Sequence, residues 1–191
     1  MKCRQGKLLR VSDLEACGYT RFQIPTLLRR GELTRMSRGL YYWSNAQLSA
    51  HSTIAAVSSL VPQGIVCLLT ALRFHDLGTQ NPAPVWIAIP TSYRPPKITG
   101  IPVKTVHFGG KYRKIGIVDV DIDGVTVHIT NPERTIVDCF RFRNRIGLDV
   151  AIEALEDGAR KKAFTVDELV TTARTCRIYG VMRPYMETLY R

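Results

Sequence analysis

The stretch from Val11 to Trp43, VSDLEACGYTRFQIPTLLRRGELTRMSRGLYYW, constrains this chain more than any other, because it sets two helix starts ahead of one hairpin. Ser12 and Glu15 form an S-x-x-E capping box, and Thr20 and Gln23 form a T-x-x-Q box; each pattern satisfies otherwise unpaired amides of a first helical turn. Gly18 separates the two as the turn. Gly31 supplies a C-terminal stop after the second helix. Leu33 to Met36 and Leu40 to Trp43 then flank Ser37-Arg38-Gly39, a turn ending in glycine. Two short helices followed by a small hairpin is the order of a winged helix-turn-helix, and it predicts a protein that binds duplex DNA.

Within the second helix, Ile24, Leu27 and Leu28 follow the 3.6-residue period and are expected to face a core. That leaves Arg21, Gln23, Thr26, Arg29 and Arg30 toward solvent or DNA. Arginine and glutamine are the side chains that bond bidentately to guanine and adenine edges in the major groove. The plainer reading is a solvated, charged helix surface. Pro25 conflicts with a helix interior, where it would cost about 3 kcal/mol, so the helix is either kinked or starts at Pro25. In the hairpin, Arg35 and Arg38 suit a wing laid along phosphates or into the minor groove. Tyr41, Tyr42 and Trp43 are expected to pack the wing onto its own domain, since duplex DNA offers no open base face. Met1 to Arg10 is short and basic, so the helix that ordinarily precedes this motif is abbreviated or supplied otherwise.

Charge supports the same reading. The 191-residue chain carries a formal net charge of +11. Residues 1–50 hold nine basic residues (Lys2, Arg4, Lys7, Arg10, Arg21, Arg29, Arg30, Arg35, Arg38) against three acids (Asp13, Glu15, Glu32), so more than half of the surplus lies in about a quarter of the chain. Such a footprint suits phosphate, although RNA or an acidic protein surface would be equally attracted. At 45% hydrophobic residues the chain can bury a substantial core, and its length suits a small domain over residues 1–44 plus a medium one over 45–191. Its five cysteines are scattered without a C-x-x-C or Cys/His spacing that suggests zinc. The apolar surroundings of Cys67 and Cys139 favour buried, reduced thiols and a cytoplasmic location. There is no signal-peptide pattern and no apolar run approaching the roughly 18 residues of a membrane span.

Beyond a polar connector at Ser44 to Ser49, Ala50 to Leu60 and Gly64 to Asp76 read as helices separated by Val61-Pro62-Gln63. Val66, Leu68, Leu69 and Leu72 give the second an apolar face. His51 and His75 read as structural histidines. Val85 to Ile89 (VWIAI) lies between prolines and suits a buried strand. Val103 to Phe108, Ile115 to Ile122 and Val125 to Ile129 follow as strands, the last two joined by Asp123-Gly124, the strongest hairpin signal in the sequence. A small mixed or antiparallel sheet is expected. Asn131 as N-cap with Pro132 behind it opens a helix that buries Ile136, Val137 and Phe140. Leu148, Ala151, Ile152 and Leu155 mark the next helix, with Glu156 and Arg160 placed to pair. Thr165 and Glu168 cap another, and Met182, Tyr185, Met186 and Leu189 mark the last. The fold class is therefore α+β, a winged helix-turn-helix followed by a sheet and several helices.

The chain resembles the AbiEi family of antitoxins and transcriptional regulators of type IV toxin-antitoxin and phage-defence systems. The resemblance runs over nearly the whole sequence. It rests on LLRRGELTRMSRGLYY, on GIVCLLTALRFHDL and VWIAI, and on NPERTIVDCFRFRNRIGLDVAIEAL and CRIYGVMRPYMETL, in that order and spacing. It implies an N-terminal winged helix that represses its own operon and a C-terminal domain that counteracts a nucleotidyltransferase toxin of the AbiEii kind. By match to the family's reading helix and wing, it assigns DNA contact to Arg21, Gln23, Thr26, Arg29, Arg30, Arg35 and Arg38. Fewer residues precede the turn than is usual in this family, and Pro25 interrupts the helix.

The function expected is thus that of a non-enzymatic repressor and antitoxin without a cofactor, binding inverted repeats in its own promoter, with a homodimer as the matching state. A second possibility is a protein-interaction module without DNA binding, in which Arg141, Arg143, Arg145, Arg160, Lys161 and Lys162 hold an acidic toxin surface. The basic loop Lys111-Tyr112-Arg113-Lys114 reads as solvent-exposed. A third possibility is a metal-dependent nuclease, because Asp119 and Asp121 share one strand face. No acid-x-Lys on a neighbouring strand accompanies them, and a solvated strand face explains them as well.

Overall fold

The computed structural model describes residues 7–189. The expectation for Met1 to Arg10 lies mostly outside these residues; within them, Leu9–Arg10 forms a short strand, β1. It leads directly into α1 (Val11–Ala16), a turn, α2 (Ile24–Arg29), and the hairpin strands β2 (Leu33–Ser37) and β3 (Leu40–Trp43). The three strands form an antiparallel sheet in the order β1-β3-β2. Leu9, Leu14, Ile24, Leu27, Leu33 and Tyr41 close a small core beneath it. Tyr19 and Trp43 pack ring against ring at its margin, 5.5 Å apart.

Local details differ from the sequence expectation in three places. The amide capped at the start of α1 is that of Arg10, which donates to Asp13 Oδ2 at 2.7 Å. The helix begins at Val11, so Ser12 is already its second residue and Glu15 is released for another partner. Pro25 neither kinks α2 nor starts it: it is the second helical residue, within the first turn, where its missing N–H has no helical acceptor to lose. The hairpin turn is Arg38-Gly39 rather than three residues, because the register shifts between Arg35 and Ser37 and a bulge at Met36 absorbs the extra position. Gly39, at φ +77°, takes the left-handed position that this turn requires.

The larger part is built on a five-stranded mixed sheet in the order β6-β5-β4-β8-β7. Its strands are β4 (Ile65–Val66), β5 (Val85–Ile89), β6 (Val103–His107), β7 (Ile117–Ile122) and β8 (Val125–Thr130). β7 and β8 are the expected Asp123-Gly124 hairpin, paired antiparallel from Ile117↔Thr130 to Ile122↔Val125. The central strand was hidden in the sequence. Gly64 to Asp76 is not one helix: Ile65 and Val66 pair with Ala88 and Ile87 on one side, and Val66 pairs with Ile129 on the other, before α4 (Leu68–Phe74) begins.

Side chains alternate across this sheet and create two cores. Ile65, Trp86, Ala88 and Val106 point toward α4 and toward α5 (Pro132–Arg141), α7 (Leu148–Arg160), α8 (Val166–Thr175) and α9 (Tyr179–Leu189). α6 (Arg143–Ile146) is a single turn between α5 and α7. Val66, Val85, Ile87, Ile89, Val127 and Ile129 point the other way, onto α3 (Ser52–Leu60). The N-terminal residues Leu8 and Leu40 belong to this second core. The protein is therefore α+β, with two sheets and helices on both faces of the larger one.

The helix caps are as expected in the second half. Asn131 Oδ1 accepts from Arg134 N at 3.1 Å, and Thr165 with Glu168 makes a complete capping box. Arg160 pairs with Asp157, three residues away, rather than with Glu156; Asp157 faces inward, where it also accepts from Gly78 N at 2.9 Å and meets Lys161. Cys67, Cys139 and Cys176 are buried free thiols, and burial pushes the thiol pKa of each up. Cys17 is disulfide-bonded, and the expectation of reduced thiols, made for Cys67 and Cys139, holds for those two. No helix among the described residues is long and apolar enough to cross a membrane.

Candidate nucleic-acid interface

The small N-terminal sheet and its two helices carry all seven residues assigned to DNA contact. α2 buries Ile24 and Leu27 and half-buries Leu28, which turns Arg29 and Arg30 outward. Arg29 Nη2 donates to Thr26 Oγ1 at 3.3 Å, so these two side chains lie together on the exposed side of the helix. Arg30 is 3.9 Å from Glu32, a loose surface pair that a phosphate could displace at little cost. Arg35 is exposed on β2 and reaches the Ser37 carbonyl at 3.3 Å; Arg38 is exposed at the tip of the hairpin.

Arg21 and Gln23 lie just outside the helix and are held more firmly. Arg21 Nε donates to Glu15 Oε1 at 2.7 Å, a contact that joins α1 to the entrance of α2 and favours the charged guanidinium. Gln23 is the N-cap of α2, and its side-chain oxygen accepts from Thr20 N at 2.7 Å. Only this half of the expected capping box forms, because Gln23 N donates to the Thr20 carbonyl instead of its hydroxyl. The arrangement makes one rigid turn from Thr20 to Gln23, leading straight into the helix.

That turn displays a residue the sequence reading passed over. Phe22 is 92% exposed, where no other exposed large hydrophobic side chain among the described residues exceeds 41%. Helical periodicity gave no signal for it, because Phe22 lies in the turn ahead of α2, outside the helix whose period Ile24, Leu27 and Leu28 follow.

No protein-family model matches this chain, and no curated protein matches it. Among the solved structures, chains that share its fold are found. One of them is the crystal structure of the RV2827C protein from Mycobacterium tuberculosis, with a TM-score of 0.55 over 87% of this chain at 16% sequence identity. This chain spans 66% of that one, just under two thirds of its length. The likeness is one of fold.

The remaining candidates of the sequence are drawn into the framework. Asp119 lies 2.5 Å from His128 Nδ1 on the neighbouring strand, while Asp121 Oδ1 accepts from Gly124 N at 3.1 Å to close the hairpin, so the two carboxylates point their oxygens at different partners. Among the basic residues proposed to face a toxin, Arg141 bonds the Cys176 carbonyl and lies over the Tyr112 ring, and Arg143 bonds the Phe140 carbonyl. Arg160 and Lys161 are paired with Asp157, and Lys161 also with Asp76. Only Arg145 and Lys162 keep an uncommitted outward charge, so the six do not form one open face. The Lys111–Lys114 loop is likewise structural: Arg113 bonds the Gln63 carbonyl at 2.6 Å, and Tyr112 supplies its carbonyl to the buried Arg134. His75 Nε2 lies 2.6 Å from the Thr130 carbonyl, and burial lowers its pKa. His51 packs against Phe74.

Proposed function

We propose that this protein is a DNA-binding transcriptional repressor that reads its own promoter through α2 and the β2–β3 hairpin, and that it acts as an antitoxin of the AbiEi kind. One observation carries the DNA-binding part. The strand–helix–turn–helix–hairpin order, with strand order β1-β3-β2, supports the reading as a winged helix-turn-helix without its leading helix, and the arginines of the helix and of the hairpin are exposed on one small module. In such a motif the second helix enters the major groove, while the wing tracks the backbone. Arg29 and Arg30 are the base-reading candidates on the helix, with Thr26 steering Arg29, and Arg35 and Arg38 are the backbone contacts.

The antitoxin part rests on the sequence resemblance, and a cognate nucleotidyltransferase encoded beside this chain is the partner it calls for. The interaction-only alternative is weakened by the internal use of Arg141, Arg143 and Lys161. A gel-shift titration on the native promoter tests the DNA reading. Replacing Arg29 or Arg30 with alanine is expected to weaken binding by about 1–3 kcal/mol if that residue reads a base. Unchanged affinity for both would overturn the assignment of the reading face. Co-expression with the product of the adjacent reading frame tests the antitoxin part, with restored growth expected.

A further inference from the structure

We propose that Phe22 is a specificity residue, whose ring packs against the 5-methyl group of a thymine in the major groove. The inference rests on the DNA-binding reading above and adds the chemistry of one base to it. Four observations converge on Phe22. Its side chain is 92% exposed in the free protein. It stands on a turn closed by two hydrogen bonds, from Gln23 N to the Thr20 carbonyl at 3.0 Å and from Thr20 N to Gln23 Oε1 at 2.7 Å. Its neighbours Arg21 and Gln23 are already bonded to Glu15 and Thr20, which leaves the phenyl ring as the uncommitted group at the entrance of α2. Finally, it stands two residues ahead of Ile24, the first residue of α2, at the start of the helix proposed to enter the groove.

A phenyl ring has no hydrogen bond to offer a base edge. What it recognises in the major groove is an apolar group, and the thymine methyl is the one such group a base pair displays there. The exposure has a second consequence. An aromatic ring held in water loses nothing on binding, whereas a ring packed in the free protein would first have to leave its pocket.

The test uses the full-length protein, duplexes of its own promoter, and deoxyuridine as the probe, because deoxyuridine differs from thymidine only by the missing methyl. Fluorescence anisotropy would follow wild type and Phe22→Ala on duplexes in which each thymine is replaced in turn. One thymine per half-site is expected whose replacement weakens wild type about fourfold, the equivalent of one buried methyl group. Phe22→Ala is expected to bind the unmodified promoter at least fivefold more weakly and to ignore that same replacement. Equal affinity of the two proteins would overturn the proposal, as would a deoxyuridine effect of the same size on both or none on wild type. Loss of toxin co-purification by Phe22→Ala with intact promoter binding would assign the ring to a protein partner instead. Failure of wild type to bind any promoter duplex would remove the DNA reading itself, an outcome distinct from all of these. Thermal melting of Phe22→Ala should match wild type, since the side chain makes no core contact.

Discussion

Arg134 is 1% exposed, and its charge survives inside the protein because it is engaged on several sides. Its Nε donates to Asp138 Oδ2 at 2.9 Å, one Nη donates to the carbonyls of Tyr112 and Ile115 at 2.9 and 2.8 Å, and the guanidinium lies over the Phe108 ring. Gly116 permits this closeness: a Cβ there would stand 2.6 Å from Arg134 Cβ. The cost falls on Asp138. Complete burial pushes its carboxyl pKa up to about 6, against the pull of Arg134 and Arg141 in the opposite direction. An unfolded chain releases that proton near 3.8, so between about 4 and about 6 the folded protein holds a proton that the unfolded one has lost. Stability should therefore fall as pH rises through this window and level off above it. Asp157 runs the other way. Hydrogen bonds from Arg160 and Gly78 lower its pKa to about 2, so its stabilising contribution is present above the ordinary aspartate range and is lost as pH falls through about 2. A carboxyl-carbon NMR titration separates the two: Asp138 should move near pH 6 and Asp157 near pH 2. An Asp138 resonance titrating near 4 would show that the pair is not sealed from solvent.

The DNA contacts proposed for helix α2 and for the β2–β3 hairpin are ones that salt can tell apart. Arg38, at the tip, is placed to neutralise a phosphate, and each phosphate neutralised contributes about one unit to the slope of log affinity against log salt. Arg38→Ala should lower that slope by about one while weakening all sequences alike; an unchanged slope would take the tip away from the backbone. These elements were legible in the sequence because their signals are local. Gly31 and Gly39 announce their turns, Asn131-Pro132 announces α5, and Asp123-Gly124 announces its hairpin. The Ser12–Glu15 cap failed because the chain enters α1 directly from β1, so the first free amide belongs to Arg10. Strand β4 was illegible for a different reason. Ile65-Val66 continues into an apolar run whose period suits a helix, and its partners Ala88, Ile87 and Ile129 are brought to it only by tertiary pairing. Phe22 shows a third kind of gap: it lies in the turn ahead of α2, outside the helical period, and its exposure depends on the course of that turn.

At the scale of the whole molecule, the small N-terminal module is fastened to the larger part rather than tethered to it. Leu8 N donates to the Asp123 carbonyl at 3.1 Å, Arg10 bonds both oxygens of Ser59, and Ser37 Oγ in the hairpin donates to the Thr99 carbonyl at 3.2 Å. Ser49 in the connector is bonded to Asp123 by both its amide and its hydroxyl. Leu40, fully buried, completes a core otherwise lined by α3 and the large sheet. A module held this way presents α2 at a fixed angle to the larger part. In a homodimer on inverted repeats, the distance between half-sites would then be set by the larger parts. Such fastening also predicts that the two parts melt as one. The chain has two tryptophans, Trp43 in the small sheet and Trp86 in the large one, so fluorotryptophan labelling gives each part its own ¹⁹F signal. Both signals should change at the same urea concentration. Leu40→Ala, which opens a cavity in the shared core, should lower both midpoints together by a stability loss of about 2–5 kcal/mol. Separate midpoints in wild type, or a Leu40→Ala shift confined to Trp43, would mean that the module folds by itself and that its angle on DNA is free to vary.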